Sequence, residues 1–133
     1  MEIYDPLRKK NVKLTPEEEV RQGVIHWLHE TVGAPLTLMA SEYGFTYNRR
    51  RYRADIVVFD RELNPLLMVE CKAPEVTVDG KVIEQAIRYN RVLQVQYIMV
   101  TNGKTSYLCH RNPETGDFDF TAEVPTYEEM LNQ

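Results

Sequence analysis

The segment Val69-Glu70-Cys71-Lys72-Ala73-Pro74 lies within the stretch that decides the fold, which runs from Arg53 to Tyr89. Two apolar runs precede its charged residues, Ile56-Val57-Val58-Phe59 and Leu66-Leu67-Met68-Val69, and turn-type residues 60–65 join them. Runs of this composition on either side of a turn predict a β-hairpin. Because each run is apolar throughout and does not alternate, both strands are expected to be buried on both faces.

Charged residues stand at the ends of these two runs. Asp55 opens the first run, while Glu70 and Lys72 close the second. Side chains two positions apart on a strand point to the same face, so Glu70 and Lys72 project together. Burying a lone charge costs several kcal/mol, and these charges therefore need one another, a metal ion or water. A structural Glu–Lys ion pair with Asp55 in a turn and a metal site both remain open on these residues alone.

Composition describes an ordinary globular protein of one domain, residues 1–133. Hydrophobic residues make up 43% and charged residues 27% of the chain, and no apolar run approaches the ~20 residues of a membrane span. The two cysteines, Cys71 and Cys109, have no zinc-site spacing, which favours a reduced cytoplasmic location. The net charge of −4 argues against a protein that coats nucleic acid nonspecifically, so any DNA contact is expected to be local.

Helix and turn signals organise the rest of the chain. Thr15 is a helix N-cap before Pro16, and helical periodicity continues to about Val32. Residues 1–14 are expected to form an extended N-terminal arm, and residues 110–133 a peripheral C-terminal segment with a short helix near its end. Residues 36–52 are expected to form two strands joined by a loop at Tyr43 and Gly44. A helix is expected over 82–93, followed by a strand over 96–100 and a hairpin turn at Asn102-Gly103.

The densest basic cluster stands just before Asp55 and consists of Arg49, Arg50, Arg51 and Arg53. A run of charges is commonly a solvated face. Its position beside the candidate site also suits contacts with nucleic-acid phosphates. Both interpretations remain open.

Five stretches of the sequence stand in a characteristic order: Thr-Pro-Glu-Glu-Glu-Val-Arg-Gln (15–22), Arg53-Ala54-Asp55-Ile56-Val57-Val58, Glu70-Cys71-Lys72-Ala73-Pro74, Gln85-Ala86-Ile87-Arg88-Tyr89 and Thr101-Asn102-Gly103. Together they resemble the landmarks of the N-terminal nuclease domain of type I restriction enzyme R subunits, within the PD-(D/E)xK nuclease superfamily. The resemblance covers about Asp5 to Cys109.

The resemblance implies an α/β fold with a restriction-endonuclease-like core, a mixed central β-sheet flanked by helices. It also implies a Mg²⁺-dependent endonuclease that hydrolyses phosphodiester bonds in DNA, with Mn²⁺ as a substitute metal. Carboxylate oxygens are ligands that Mg²⁺ prefers. The implied metal ligands are Asp55, Glu70 and the backbone carbonyl of Cys71, and the implied catalytic residues are Asp55, Glu70, Lys72, Gln85, Tyr89 and Glu18, with Glu17 next in place of Glu18.

The alternative is a nuclease-fold module that binds nucleic acid or protein and cleaves nothing by itself. No motor is expected in this chain, because Gly103-Lys104-Thr105 does not continue a phosphate-binding loop: Ile98 stands where that loop needs glycine. The sequence leaves open whether the domain acts alone, as a homodimer, or with a separate motor or specificity protein. No membrane partner is expected.

Overall fold

The chain folds around one six-stranded mixed sheet. The computed structural model describes the backbone of all 133 residues and the side chains of all except residues 47 and 90–92. The strands are β1 Glu2–Asp5, β2 Lys10–Lys13, β3 Met39–Tyr47, β4 Arg50–Phe59, β5 Pro65–Cys71, β6 Tyr97–Thr101, β7 Ser106–Arg111 and β8 Phe118–Thr121, and the helices are α1 Pro16–Trp27, α2 Gly80–Leu93 and α3 Tyr127–Leu131.

The large sheet has the strand order β3-β4-β5-β6-β7-β8, while β1 and β2 form a separate hairpin. β5 and β6 are parallel, and α2 lies in the connection between them; every other neighbouring pair is antiparallel. This arrangement confirms the predicted α/β fold with a mixed central sheet.

The predicted β4–β5 hairpin is confirmed by pairing between Ile56 and Val69 and between Val58 and Leu67. Successive residues face opposite sides of the sheet, and both sides are covered. Ile56 and Val58 pack in the core layer that contains α1, whereas Val57 packs in the layer that contains α2. Uniformly apolar strands result because neither face meets water.

Local signals account for the start of both long helices. The Thr15 hydroxyl accepts a hydrogen bond from the backbone N–H of Glu18, as expected of an N-cap. The chain continues beyond α1 in a wider turn over Leu28–Val32 and leaves it at Gly33, whose φ of 87° suits glycine. At α2, the Asp79 carboxylate accepts a hydrogen bond from the N–H of Val82.

Three regions differ from the sequence-based expectations. Residues 1–14, expected as an extended arm, form the β1–β2 hairpin with Asp5 fully buried. The C-terminal segment is not only peripheral, because Tyr127 and Met130 of α3 enter the core and the Tyr127 hydroxyl donates to the carbonyl of Phe59. The expected loop at Tyr43 and Gly44 is part of the continuous strand β3.

The turn between β3 and β4 lies further along, at Asn48 and Arg49, and both residues have positive φ, 49° and 66°. Such a turn favours asparagine followed by glycine, so an arginine at the second position gave no turn signal. β4 pairs with β5 only from Ile56 onward, and residues 39–41 of β3 pair with that same part of β4. Residues 42–55 therefore extend beyond β5 as a two-stranded ribbon. Within the described chain, no helix is both long and apolar enough to cross a membrane.

Candidate active site

Asp55 lies where the ribbon joins the body of the sheet. Both of its carboxylate oxygens are engaged: Oδ2 accepts a hydrogen bond from the backbone N–H of Cys71 at 2.7 Å, and Oδ1 accepts one from Arg21 Nη2 at 3.1 Å. Across the strand pair, Glu42 has a φ of 52°, and the β3–β4 register has no pairing between Glu42 and Asp55. The ladder is therefore locally irregular at the residue that carries the candidate ligand.

Glu70 lies on β5, one residue before the Cys71 amide that binds Asp55. Burial and then the neighbouring Asp55 carboxylate raise the pKa of Glu70 to about 8, whereas the charge of Lys72 acts in the opposite direction. The Glu70 Oε1 atom is buried and has no hydrogen-bond partner among the described groups. Two acidic side chains therefore face one another in a partly desolvated place, a situation that a bound cation would relieve.

A small cavity of about 230 Å³ brings together four of the predicted catalytic residues. Its lining includes Glu70 and Lys72 of the β5 end and Gln85 and Tyr89 of α2. Gln85 Nε2 donates a hydrogen bond of 3.0 Å to the Tyr89 hydroxyl, and the Tyr89 ring lies 5.1 Å from that of Tyr52. The four-residue spacing on α2 thus places both side chains at the same cavity.

The donor set suits a hard divalent cation. Asp55 and Glu70 supply carboxylate oxygens, and Mg²⁺ commonly uses one or two carboxylates and keeps several waters. Among the side chains described, no group of three or more His, Cys, Asp or Glu residues could hold a metal ion. A metal here would therefore need backbone oxygen or water in addition, as in the predicted role of the Cys71 carbonyl. The Cys71 thiol is buried in the core, and burial raises its pKa, so it remains a neutral core group.

Glu18 is buried on α1, and its side chain lies in a charged cluster with Arg8, Arg21 and Glu42. Its Oε1 accepts hydrogen bonds from Arg8 at 2.6 Å and from Arg21 at 3.1 Å, and its Oε2 accepts one from Gln22. Among the described side chains, Arg21 links Glu18 to Asp55 by contacting both carboxylates. The half-exposed Glu17 lies 3.9 Å from Arg21 Nη2, and its charge contributes to the raised pKa of Glu70.

Three residues of this cluster were not identified from the sequence: Arg8, Arg21 and Glu42. Arg21 follows Glu18 by three positions on a helix, a spacing that predicts an ion pair and could have revealed it. No sequence signal joins Glu42 to the site, because it approaches only through the pairing of β3 with β4.

The predicted basic cluster lies along the ribbon. Arg49 stands in the turn at its tip, and Arg50, Arg51 and Arg53 follow on β4 toward Asp55. All four are exposed, and Arg53 Nη1 lies 3.8 Å from Glu42 Oε2. The ribbon therefore forms a positively charged surface that extends outward from the candidate site, although the net charge of the protein is −4.

Comparison with solved structures gives a match to a fragment of a protein assigned as the HsdR subunit of a type I restriction enzyme from Vibrio vulnificus YJ016. The two share a TM-score of 0.65 and 22% identity, over 90% of this chain and 25% of that chain. This chain thus corresponds to about a quarter of that longer one, and the likeness supports the restriction-endonuclease-like core. No curated protein matches the chain.

A family model described as "Type I restriction enzyme R protein N terminus" matches residues 16–125, which includes every predicted catalytic residue. The match covers most of the chain and agrees with the resemblance found in the motifs. The chain belongs to the family of type I restriction enzyme R protein N-terminal domains.

Proposed function

We propose that this protein is the nuclease domain of a restriction system and hydrolyses phosphodiester bonds in DNA with the help of Mg²⁺. The observation that carries the proposal is the pair of Asp55 and Glu70, with the buried Oε1 of Glu70 lacking a partner among the described groups. Two neighbouring carboxylates with a buried, unpartnered oxygen reduce the stability of a metal-free protein, but they are suitable ligands for a metal ion.

The residues divide the chemistry among them. Asp55, Glu70 and the Cys71 carbonyl would hold the ion. When bound, Mg²⁺ stabilises charge on phosphoryl oxygens and promotes ionisation of water. Lys72 lies in the same cavity as Glu70 and would orient the attacking water and stabilise negative charge on the phosphate. The Gln85–Tyr89 pair would position these groups or the DNA backbone.

The ribbon would supply most of the DNA affinity. Its exposed arginines extend from the candidate site into solvent, and arginine suits phosphate recognition because its guanidinium forms paired hydrogen bonds. Sequence recognition and movement along DNA would be supplied from outside this domain, which corresponds to about a quarter of the matched HsdR chain.

A non-catalytic binding module is the second candidate, and one observation favours it. Each oxygen of Asp55 already has a protein donor, Arg21 or the Cys71 N–H. A carboxylate oxygen can accept more than one bond, so metal binding remains open to Asp55. A purely structural role for Asp55 would nevertheless produce the same two contacts.

The test is DNA cleavage by the purified protein, with supercoiled and linear DNA and a matched RNA, in Mg²⁺, Mn²⁺ or chelator. Glu70→Gln removes a ligand charge, and Glu84→Gln is the control, since Glu84 is an exposed glutamate on α2. Metal-dependent cleavage by the parent and the control, lost in Glu70→Gln, supports the proposal. DNA binding without cleavage in any metal would instead favour the binding module.

A further inference from the structure

Arg21 is a buried cation next to the candidate metal ligands. The residue is 6% exposed; burial opposes its charge, but its acidic neighbours, Asp55 first, raise its pKa overall. The guanidinium contacts acids from three separate elements: Glu18 of α1 at 3.1 Å, Glu42 of β3 at 3.3 Å and Asp55 of β4 at 3.1 Å.

Packing does not require an arginine at this position. Val20, Val24 and Ile25 of the same helix form part of the core, and an apolar side chain at 21 would avoid burying a charge. Arg21 Nε is buried and has no partner among the described groups, so the hydrogen bonds of this side chain run from its terminal nitrogens to carboxylates. The three acids together determine where the guanidinium lies.

Asp55 is the member of this cluster that also reaches the second candidate ligand. Its carboxylate is fixed from two sides, by Arg21 on Oδ1 and by the Cys71 amide on Oδ2. Two donors on different oxygens restrict rotation of a carboxylate more than one donor does. The Cys71 amide belongs to the strand that carries Glu70, so this pair of contacts also sets the position of Asp55 relative to Glu70.

We propose that Arg21 is a positioning residue that fixes the Asp55 carboxylate toward Glu70 and so prepares the metal site. The metal part of this inference rests on the proposed function, whereas the positioning of Asp55 can be measured without metal. The geometry requires a fork of donors: the substitution Arg21→Lys would keep the positive charge but would offer one ammonium group to three separated acids.

Hydrogen exchange at two neighbouring backbone amides distinguishes a local loss of the Asp55 contact from a general loss of stability. The Cys71 N–H donates to Asp55, whereas the Lys72 N–H donates to the backbone carbonyl of Thr101 at 2.8 Å. If Arg21 positions Asp55, loss of the guanidinium should loosen only the first of these bonds. Global destabilisation would loosen both.

The experiment is amide hydrogen exchange by NMR on the metal-free parent, Arg21→Lys and the control Arg61→Lys. Arg61 is a suitable control because it pairs with Glu128 on the exposed surface. In Arg21→Lys we expect exchange at Cys71 to rise about tenfold or more while Lys72 stays within about twofold of the parent. The control should leave both amides unchanged.

Unchanged exchange at Cys71, or an equal rise at both amides, would overturn the proposal. If Arg21→Lys does not fold, Glu42→Gln serves instead, because it removes the charge of one acid that holds Arg21. A smaller rise confined to Cys71 is expected there, and no rise would count against the proposal in the same way.

A Mn²⁺ titration of the same variants extends the test to the metal. We expect Arg21→Lys to weaken Mn²⁺ binding about tenfold relative to the parent and to the Arg61→Lys control, a difference of about 1.4 kcal/mol. A parent that binds no Mn²⁺ would refute the proposed function and leave the exchange result to decide the positioning of Asp55. A parent that binds Mn²⁺ with unchanged affinity in a folded Arg21→Lys would refute the role of Arg21 alone.

Discussion

Replacing Glu70 with glutamine should stabilise the metal-free protein at alkaline pH. The pKa of Glu70 is raised from an ordinary 4.5 to about 8, chiefly by burial and next by the Asp55 charge. At about 1.36 kcal/mol per pKa unit, ionising this carboxylate in the folded protein costs about 5 kcal/mol more than in the unfolded chain. Water entry and local rearrangement would reduce the cost, so we expect Glu70→Gln to gain about 2–4 kcal/mol at pH 8.5.

The sign of the pH dependence follows from proton binding. Between pH 4.5 and pH 8 the folded protein keeps the Glu70 proton, and the unfolded chain has released it. The folded state then binds more protons, so the free energy of unfolding falls as pH rises through this range. The contribution of the protonated Glu70 side chain to the free energy of unfolding is fully present below about pH 4.5 and is lost above about pH 8. Glutamine does not titrate and should remove this slope.

Urea denaturation at pH 5, 6.5 and 8.5, in chelator, measures the effect. The parent and Glu70→Gln should differ by less than about 1 kcal/mol at pH 5 and should separate steadily as pH rises. The exposed Glu84→Gln control should follow the parent throughout. Parallel pH curves for the parent and Glu70→Gln would show that Glu70 does not carry the raised pKa, and would refute the reasoning that its burial beside Asp55 destabilises the ionised form.

Further predictions concern metal, DNA and folding. Saturating Mn²⁺ should raise the melting temperature of the parent more at pH 8 than at pH 6, because the ligand carboxylates must be ionised; an equal shift at both pH values would contradict this. Lys72→Ala should remove most cleavage yet keep Mn²⁺ affinity within about threefold, whereas Glu70→Ala should remove both, as metal titration and cleavage assays would report. Serine at positions 49–51 should flatten the slope of log affinity against log salt by about 2–3 for duplex DNA, and an unchanged slope would make these arginines a plain solvated surface. Gly103→Ala should destabilise by about 1–2 kcal/mol in thermal melts, since Gly103 has a φ of 86° and an added Cβ would lie 3.3 Å from a Val20 methyl carbon.

Local sequence signals predicted those parts of the fold whose cause is local. The apolar runs at 56–59 and 66–69 predicted a hairpin buried on both faces because strand burial depends on every residue in the run. Thr15 predicted the start of α1 because its side chain bonds to a backbone group three residues away. The motif residues Glu70 and Lys72 were expected on one face because strand geometry alternates.

Contacts between distant elements were not predictable in the same way. Glu42 lies near Asp55 only because β3 pairs with β4. Its positive φ was not predictable either, because glutamate is not a residue type that favours positive φ. Arg21 shows an ion-pair spacing with Glu18, yet nothing in its neighbours indicates a third acid 34 positions later. The N-terminal hairpin was missed because its strands are four residues each and mostly polar, so they carry little hydrophobic periodicity.

The N-terminal hairpin has a practical consequence for where this domain should be considered to begin. The family match starts at residue 16, after the hairpin, yet Arg8 of the hairpin contacts Glu18 at 2.6 Å and Glu42 at 3.3 Å. A protein trimmed to the matched boundary would retain every predicted catalytic residue and lose Arg8, one of the cations that balance these acids. Arg21 would then be drawn into a cluster with excess negative charge, and its contact with Asp55 would change. The first 14 residues are thus part of the electrostatic unit of the site, although they lie outside the segment by which the family is recognised.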